Sequence, residues 1–145
     1  HTADEPLDWY RYSLEGTRRF RALKLWCSWK FLGTEGFGRL IDHTLALARH
    51  LTRRIRESDD LEIEPGDPEL SVVCFRHLPA GVTDEAELNR HQDDLQRALE
   101  LSGEGWLSTT TLRGRTYLRA GIVNYQTTPD DVDALLATLR RLASG

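Results

Sequence analysis

Arg119 has the strongest claim to chemistry in this sequence. It lies in the stretch Thr116 to Tyr125, where alternation puts Leu118, Ala120 and Ile122 on one face of a strand and Tyr117, Arg119, Gly121 and Val123 on the other. The apolar trio needs a core, so Arg119 points away from it, beside a glycine that leaves room. A mid-strand arginine is costly unless it meets water or an anion. Its planar fork of donors matches a carboxylate. The same pattern also suits a solvent-facing or salt-bridged strand arginine. A second anion site is readable at Gly16 and Thr17, just ahead of a helix start. Backbone N–H groups point outward there, and a glycine admits a phosphate closely. A plain N-terminal turn fits those two residues as well. Arg18, Arg19 and Arg21 either reinforce such a site or make surface ion pairs.

Other reactive side chains are less promising. His43 and His50 fall about two turns apart on a similar side of one helix, too far for adjacent ligands. His77 and His91 read as isolated. No CxxC or HExxH spacing occurs, so no metal site is expected. GxSxG and P-loop patterns are missing too. Ser108 to Thr111 reads as a β-rich strand rather than as a nucleophile. Lys24 and Lys30 are the only lysines, and the sequence shows no partner that would lower the pKa of Lys24 toward Schiff-base duty. No catalytic residue is expected within this stretch.

The elements that must position Arg119 follow from the hydrophobic pattern. The 145 residues are 39% hydrophobic and 29% charged, enough for one real core. A net charge of −4 argues against a nucleic-acid binder. No apolar run approaches the ~20 residues of a membrane span, and no signal peptide is visible, so a cytoplasmic location is the default. Cys27 and Cys74 read as reduced core residues.

Residues 1–15 read as an irregular lead-in anchored by Trp9, Tyr10 and Tyr12. Residues 18–32 form a helix that is apolar in nearly every direction, which predicts burial. Gly33 ends it, and residues 35–57 form a longer helix. Leu61 to Glu64 alternates and stops at Pro65-Gly66, and Leu70 to Phe75 has the continuous apolar run of a central strand. Asp84 to Ser102 is a helix with Asp84 and Glu87 as a capping box and Gly103 as its stop. Two strands, Leu107 to Leu112 and Thr116 to Tyr125, flank a hairpin at Arg113-Gly114-Arg115. The last helix opens at Thr128-Pro129 and buries Val132, Leu135, Leu136, Leu139 and Leu142. Two helices, two strands, a helix, two strands and a helix give an α+β chain, with an antiparallel or mixed sheet covered by helices on one face.

The run Gly16-Thr17-Arg18-Arg19-Phe20-Arg21-Ala22-Leu23-Lys24-Leu25-Trp26 resembles the Gly-Arg-Arg-Phe-Arg-x-Leu-Lys-x-Trp segment of the group II pyridoxal-phosphate decarboxylases, the aromatic-L-amino-acid and glutamate decarboxylase family. Gly33 to Gly38 is similar to that family's linker into a long helix. Val73-Cys74-Phe75-Arg76 is similar to a strand of its small domain. Gly114 to Arg119, Asn124 and Thr127-Thr128 are similar to its closing hairpin and final helix entry.

The resemblance implies the C-terminal part of a fold type I enzyme. Residues 1–33 would end the large cofactor domain, and residues 34–145 would form a connecting helix and the small domain. It implies α-decarboxylation of an L-amino acid to an amine, in a homodimer with active sites at the subunit interface. The lysine that holds pyridoxal phosphate is expected upstream of His1, with the N-terminal large domain as partner. Carried over residue by residue, Gly16 matches the glycine that approaches the cofactor phosphate of the neighbouring subunit, and Arg119 matches an arginine that meets the substrate carboxylate in the glutamate branch. Glu15 departs from the hydrophobic or Cys residue expected before that glycine. Two other readings compete with the enzyme segment: a catalytically silent small-domain module that binds an anion or a protein, and an unrelated α+β binding domain.

Overall fold

The computed structural model describes residues 19–64, 66 and 68–144. Gly16, Thr17, Arg18 and the lead-in 1–15 lie outside the described residues. The chain divides into two compact units, residues 1–37 and 38–145.

The two N-terminal helices predicted from the sequence run together as α1 (Ala22–Arg56), broken at Gly33 with φ 66° and ψ 177°. That φ is left-handed, a region glycine enters without the Cβ clash that penalises other residues. The helical path therefore breaks where the sequence placed a stop, but resumes without an intervening loop.

In the first unit, Trp29 and Phe37 stack with ring centroids 4.9 Å apart. The Lys30 ammonium lies 5.8 Å over the Trp26 ring. The expected burial of this helix is corrected. Trp26 is 57% and Phe31 88% exposed, and Phe20, Leu23, Leu25 and Trp29 are also exposed. A helix apolar on all sides needs covering surface on all sides, and the described residues of this unit supply little beyond Phe37. Cys27 is likewise exposed, not a core residue, although both cysteines are free thiols.

The second unit is built on a four-stranded antiparallel sheet of order β1-β2-β4-β3. Its strands are β1 (Leu61–Ile63), β2 (Val72–His77), β3 (Ser108–Leu112) and β4 (Arg115–Gly121). Val73 pairs with Ala120 and Phe75 with Leu118, so alternation gives both central strands one common apolar face. That face meets Leu47, Leu51 and Ile55 of α1, Leu95 and Leu99 of α2 (Glu85–Ser102), and Val132, Leu136 and Leu139 of α3 (Pro129–Ala143) in one core. Burying side chains of this size stabilises by about 1.5–3 kcal/mol each.

The helix ends follow their sequence signals. Thr128 and Asp131 form a full capping box at α3, with proline in the first turn. At α2, the Asp84 carboxylate accepts from the Glu87 N–H, and Gly103 closes the helix in the left-handed conformation. β4 stops at Gly121 rather than running to Tyr125. Its partner β2 begins only at Val72, and one further bond, Ile122 N–H to the Ser71 carbonyl, ends the pairing.

Candidate functional site

Arg119 stands where alternation placed it. Leu118, Ala120 and Ile122 are buried, and Arg119 emerges exposed on the opposite face of β4. Cys74 of β2 and Ser108 of β3 are its neighbours across the sheet. Among the described residues, its guanidinium finds no hydrogen-bond acceptor and no carboxylate partner. Burial pushes the Cys74 thiol up, and the nearby Arg119 charge pulls it part of the way back. The neutral thiol therefore gives Arg119 no counter-charge.

Arg119 lines a cavity of about 420 Å³. Trp106 and Ser108 contribute from the entry and start of β3. Gly121, Val123, Asn124 and Thr127 contribute from the end of β4 and the segment leading to α3. A Cβ at Gly121 would meet nothing within 4 Å. Asn124 accepts the Gln126 N–H through Oδ1 at 3.0 Å. An unpaired arginine and a side-chain amide in a largely apolar wall, with Asp131 of α3 also in the lining, can take a small polar molecule carrying a carboxylate.

The rest of the outer sheet face is different. Tyr117, expected on the open face with Arg119, is buried. Arg76 and Arg115 lie over its ring with guanidinium carbons 5.6 and 6.0 Å from the centroid. Arg115 holds Glu62 with a two-pronged bond at 3.1 and 3.2 Å. Arg76 is 0% exposed. Its Nη2 donates to the Glu85 carboxylate at 2.7 Å and to Asn89 Oδ1 at 3.1 Å, while Nε and Nη1 have no hydrogen-bond partner. Sequence reasoning missed Arg76. A buried arginine at the end of an apolar strand shows only in a fold that brings Glu85 and Asn89 of α2 to it.

The histidines are corrected as well. His77 and His91 are not isolated: His77 Nδ1 and His91 Nε2 are 2.9 Å apart, bridging β2 to α2. Burial, then the charge of the other histidine, holds His77 below its ordinary 6.5. Burial does the same for His91, opposed by Asp94. His43 and His50 do share a side of α1. His43 Nε2 donates to the Thr127 carbonyl at 2.8 Å, and His50 Nε2 meets Asp133 at 3.1 Å. The described residues contain no group of three or more His, Cys, Asp or Glu placed to hold a metal.

Comparison with known proteins gives this geometry a context. Residues 2–78, just over half of the chain, match the model of the pyridoxal-dependent decarboxylase conserved domain. The chain belongs to the pyridoxal-dependent decarboxylase family. The group II resemblance stated above is thereby borne out. An aromatic-L-amino-acid decarboxylase of Bacillus atrophaeus is 30% identical over 130 residues, 90% of this chain and 27% of that protein. An L-2,4-diaminobutyrate decarboxylase of Acinetobacter baumannii is 35% identical over 127 residues, 86% of this chain and 24% of that protein. The crystal structure of mouse CSAD in apo form superposes with a TM-score of 0.86 at 26% identity, covering 94% of this chain and 30% of that one. The chain thus spans about a quarter to a third of the length of the decarboxylases it matches.

Pyridoxal phosphate is the family's cofactor, and the described residues do not fit its covalent attachment. Lys24 and Lys30, the two lysines among them, are both exposed on α1 with no buried setting to lower the pKa of an amine. The phosphate contact carried over to Gly16 falls outside the described residues.

Proposed function

We propose that the chain is the C-terminal segment of a pyridoxal-phosphate-dependent amino-acid decarboxylase, and that Arg119 binds the substrate carboxylate. The observation that carries this reading is the unpaired Arg119 guanidinium in a 420 Å³ cavity, in a chain of this family. An exposed arginine with no partner on its own sheet is ready to form a charge-assisted, two-pronged bond with a carboxylate. Holding the substrate at that end fixes the orientation of the bond to be broken. When bound, pyridoxal phosphate supplies the electron sink for the departing carbon dioxide.

In this proposal residues 1–33 complete a large domain that bears the cofactor lysine, and residues 34–145 are the connecting helix and small domain. The exposed apolar side chains of α1 from Leu23 to Phe31 support it, because so much uncovered apolar surface marks an interface. The reading includes a homodimer in which Gly16 reaches the phosphate held by the neighbouring subunit. It also includes a cytoplasmic setting, which the two free thiols favour. No helix of the described residues is long and apolar enough to cross a membrane.

The test is Arg119→Ala in the full-length enzyme, assayed against the amino acid it decarboxylates. We expect kcat/KM to drop by about 100-fold, with bound cofactor retained. Unchanged kinetics would remove Arg119 from the site. Gly16→Val should weaken cofactor retention, and normal retention would remove the phosphate role.

A further inference from the structure

The Arg119 cavity depends on a stretch of chain with little structure of its own. Residues 122–128 link β4 to α3 and supply Val123, Asn124 and Thr127 to the cavity wall. At its start the stretch is fixed by Ile122 N–H to the Ser71 carbonyl. Internally it has Thr127 N–H to the Asn124 carbonyl and Gln126 N–H to Asn124 Oδ1. Val123 and Tyr125 are largely exposed, so burial does little to hold them. The far end needs a second anchor. The α3 capping box ties Thr128 to a helix seated in the core, but leaves Thr127, the wall residue before it, to be held from elsewhere.

That anchor comes from α1. His43, half-buried, donates Nε2–H to the Thr127 carbonyl at 2.8 Å across 84 residues of sequence. Thr127 is both a cavity-wall residue and the residue before the cap, so the bond fixes the wall itself. Two turns further along α1, His50 and Arg54 hold Asp133 of α3 at 3.1 and 2.9 Å. Those bonds fix α3, which adds Asp131, Val132 and Leu135 to the cavity wall, but they make no contact with residues 122–128.

We infer that His43 is a positioning residue for the Arg119 cavity, holding residues 122–128 in the shape that receives the substrate. This rests on the carboxylate role proposed above for Arg119. His43 touches no substrate, so its loss loosens binding more than it slows the chemical step. In the full-length enzyme, His43→Leu should raise KM about 5- to 10-fold and leave kcat within about twofold. His43→Gln carries an amide N–H of similar reach and should restore KM to near the wild-type value. His43→Asn keeps the amide but is too short, so it should behave like His43→Leu, and it serves in its place if the leucine variant does not fold.

Thermal unfolding of each variant separates this from a packing role. A purely structural histidine would show a lower Tm with KM unchanged, and that result would overturn the inference. Equal KM increases in His43→Leu and His43→Gln would overturn it too, because the N–H would not be the cause. Arg119→Ala, assayed alongside, tells the two possible failures apart. An unchanged KM there removes the carboxylate reading and this inference with it. A raised KM there, with His43→Leu and His43→Asn both at wild-type KM, removes only the positioning role.

Discussion

Arg76 and Arg119 stand on the same outer face of adjacent strands and have opposite fates. Alternation from Cys74, the neighbour of Arg119, puts Arg76 on that face two residues away. Arg76 is fully buried, paired with Glu85 and Asn89, and stacked on Tyr117. Arg119 is exposed, borders a cavity, and meets no anion among the described residues. A buried cation is tolerable only when paired, so the Arg76 end of the sheet closes on itself. The Arg119 end leaves its charge to be matched by something else. One sheet face thus has a structural end and a receptive end, and the neutral thiol of Cys74 lies between them.

The contrast breaks most easily at its buried end. Arg76→Ala should cost about 3 kcal/mol, because it empties the space over Tyr117 and leaves Glu85 without its buried partner. The loss would be read in the intact protein as faster amide exchange in β2 and β4. Arg76→Met should cost far less, since it fills the space and removes the two unpaired nitrogens. If methionine proves as damaging as alanine, the ion pair and not the packing holds this end.

Arg119→Ala should show the reverse profile. The loss of about 100-fold in kcat/KM corresponds to about 2.7 kcal/mol, while exchange in the same strands stays within about 0.5 kcal/mol of wild type. A large stability loss there would erase the distinction between the two ends.

Asn89→Ala should cost about 2 kcal/mol. It removes bonds to the Arg76 guanidinium, the Gly114 carbonyl and the Thr116 N–H at once. Substrate affinity should not follow, and a coupled rise in KM would show that the structural end governs the receptive one.

The smallest expected effect is pH dependence. His77 and His91 are both held below 6.5 when folded, so the unfolded chain binds more protons as the pH falls through that value. Stability is therefore complete above about pH 6.5 and declines on acidification. Asp60 and Asp94 favour the protonated forms and Arg140 disfavours that of His77. Unfolding of His91→Leu should be less sensitive between pH 7 and 5 (about two units below neutrality), and an unchanged slope would show that other groups set it.

Legibility in the sequence followed the range of the interaction. The Thr128-Pro129 cap, the Gly103 stop, the Gly33 break and the alternation around Arg119 are local rules, and each appears in the structure. The element order and the α+β class followed from them. The sequence could not show that Arg76 meets a helix nine residues further on, or that His77 and His91 touch. Both depend on how β2 and α2 pack. The helix from Leu23 to Phe31 has the apolar girth of a buried helix, yet it is exposed. A pattern tells that a surface is to be covered, but not which part of a protein covers it. The candidate site was half legible: the outward placement of Arg119 reads from spacing, but its cavity and the His43 bond to Thr127 need tertiary contacts.

Gly121 has a consequence of its own. It sits two residues from Arg119, lines the same cavity, and leaves clear space where a Cβ would be. Larger side chains can be installed there without rebuilding the scaffold, and each would shrink the room beside the arginine. Under the carboxylate role proposed for Arg119, position 121 becomes an engineering dial, a place where selectivity for ligands of different bulk is retuned one methyl group at a time.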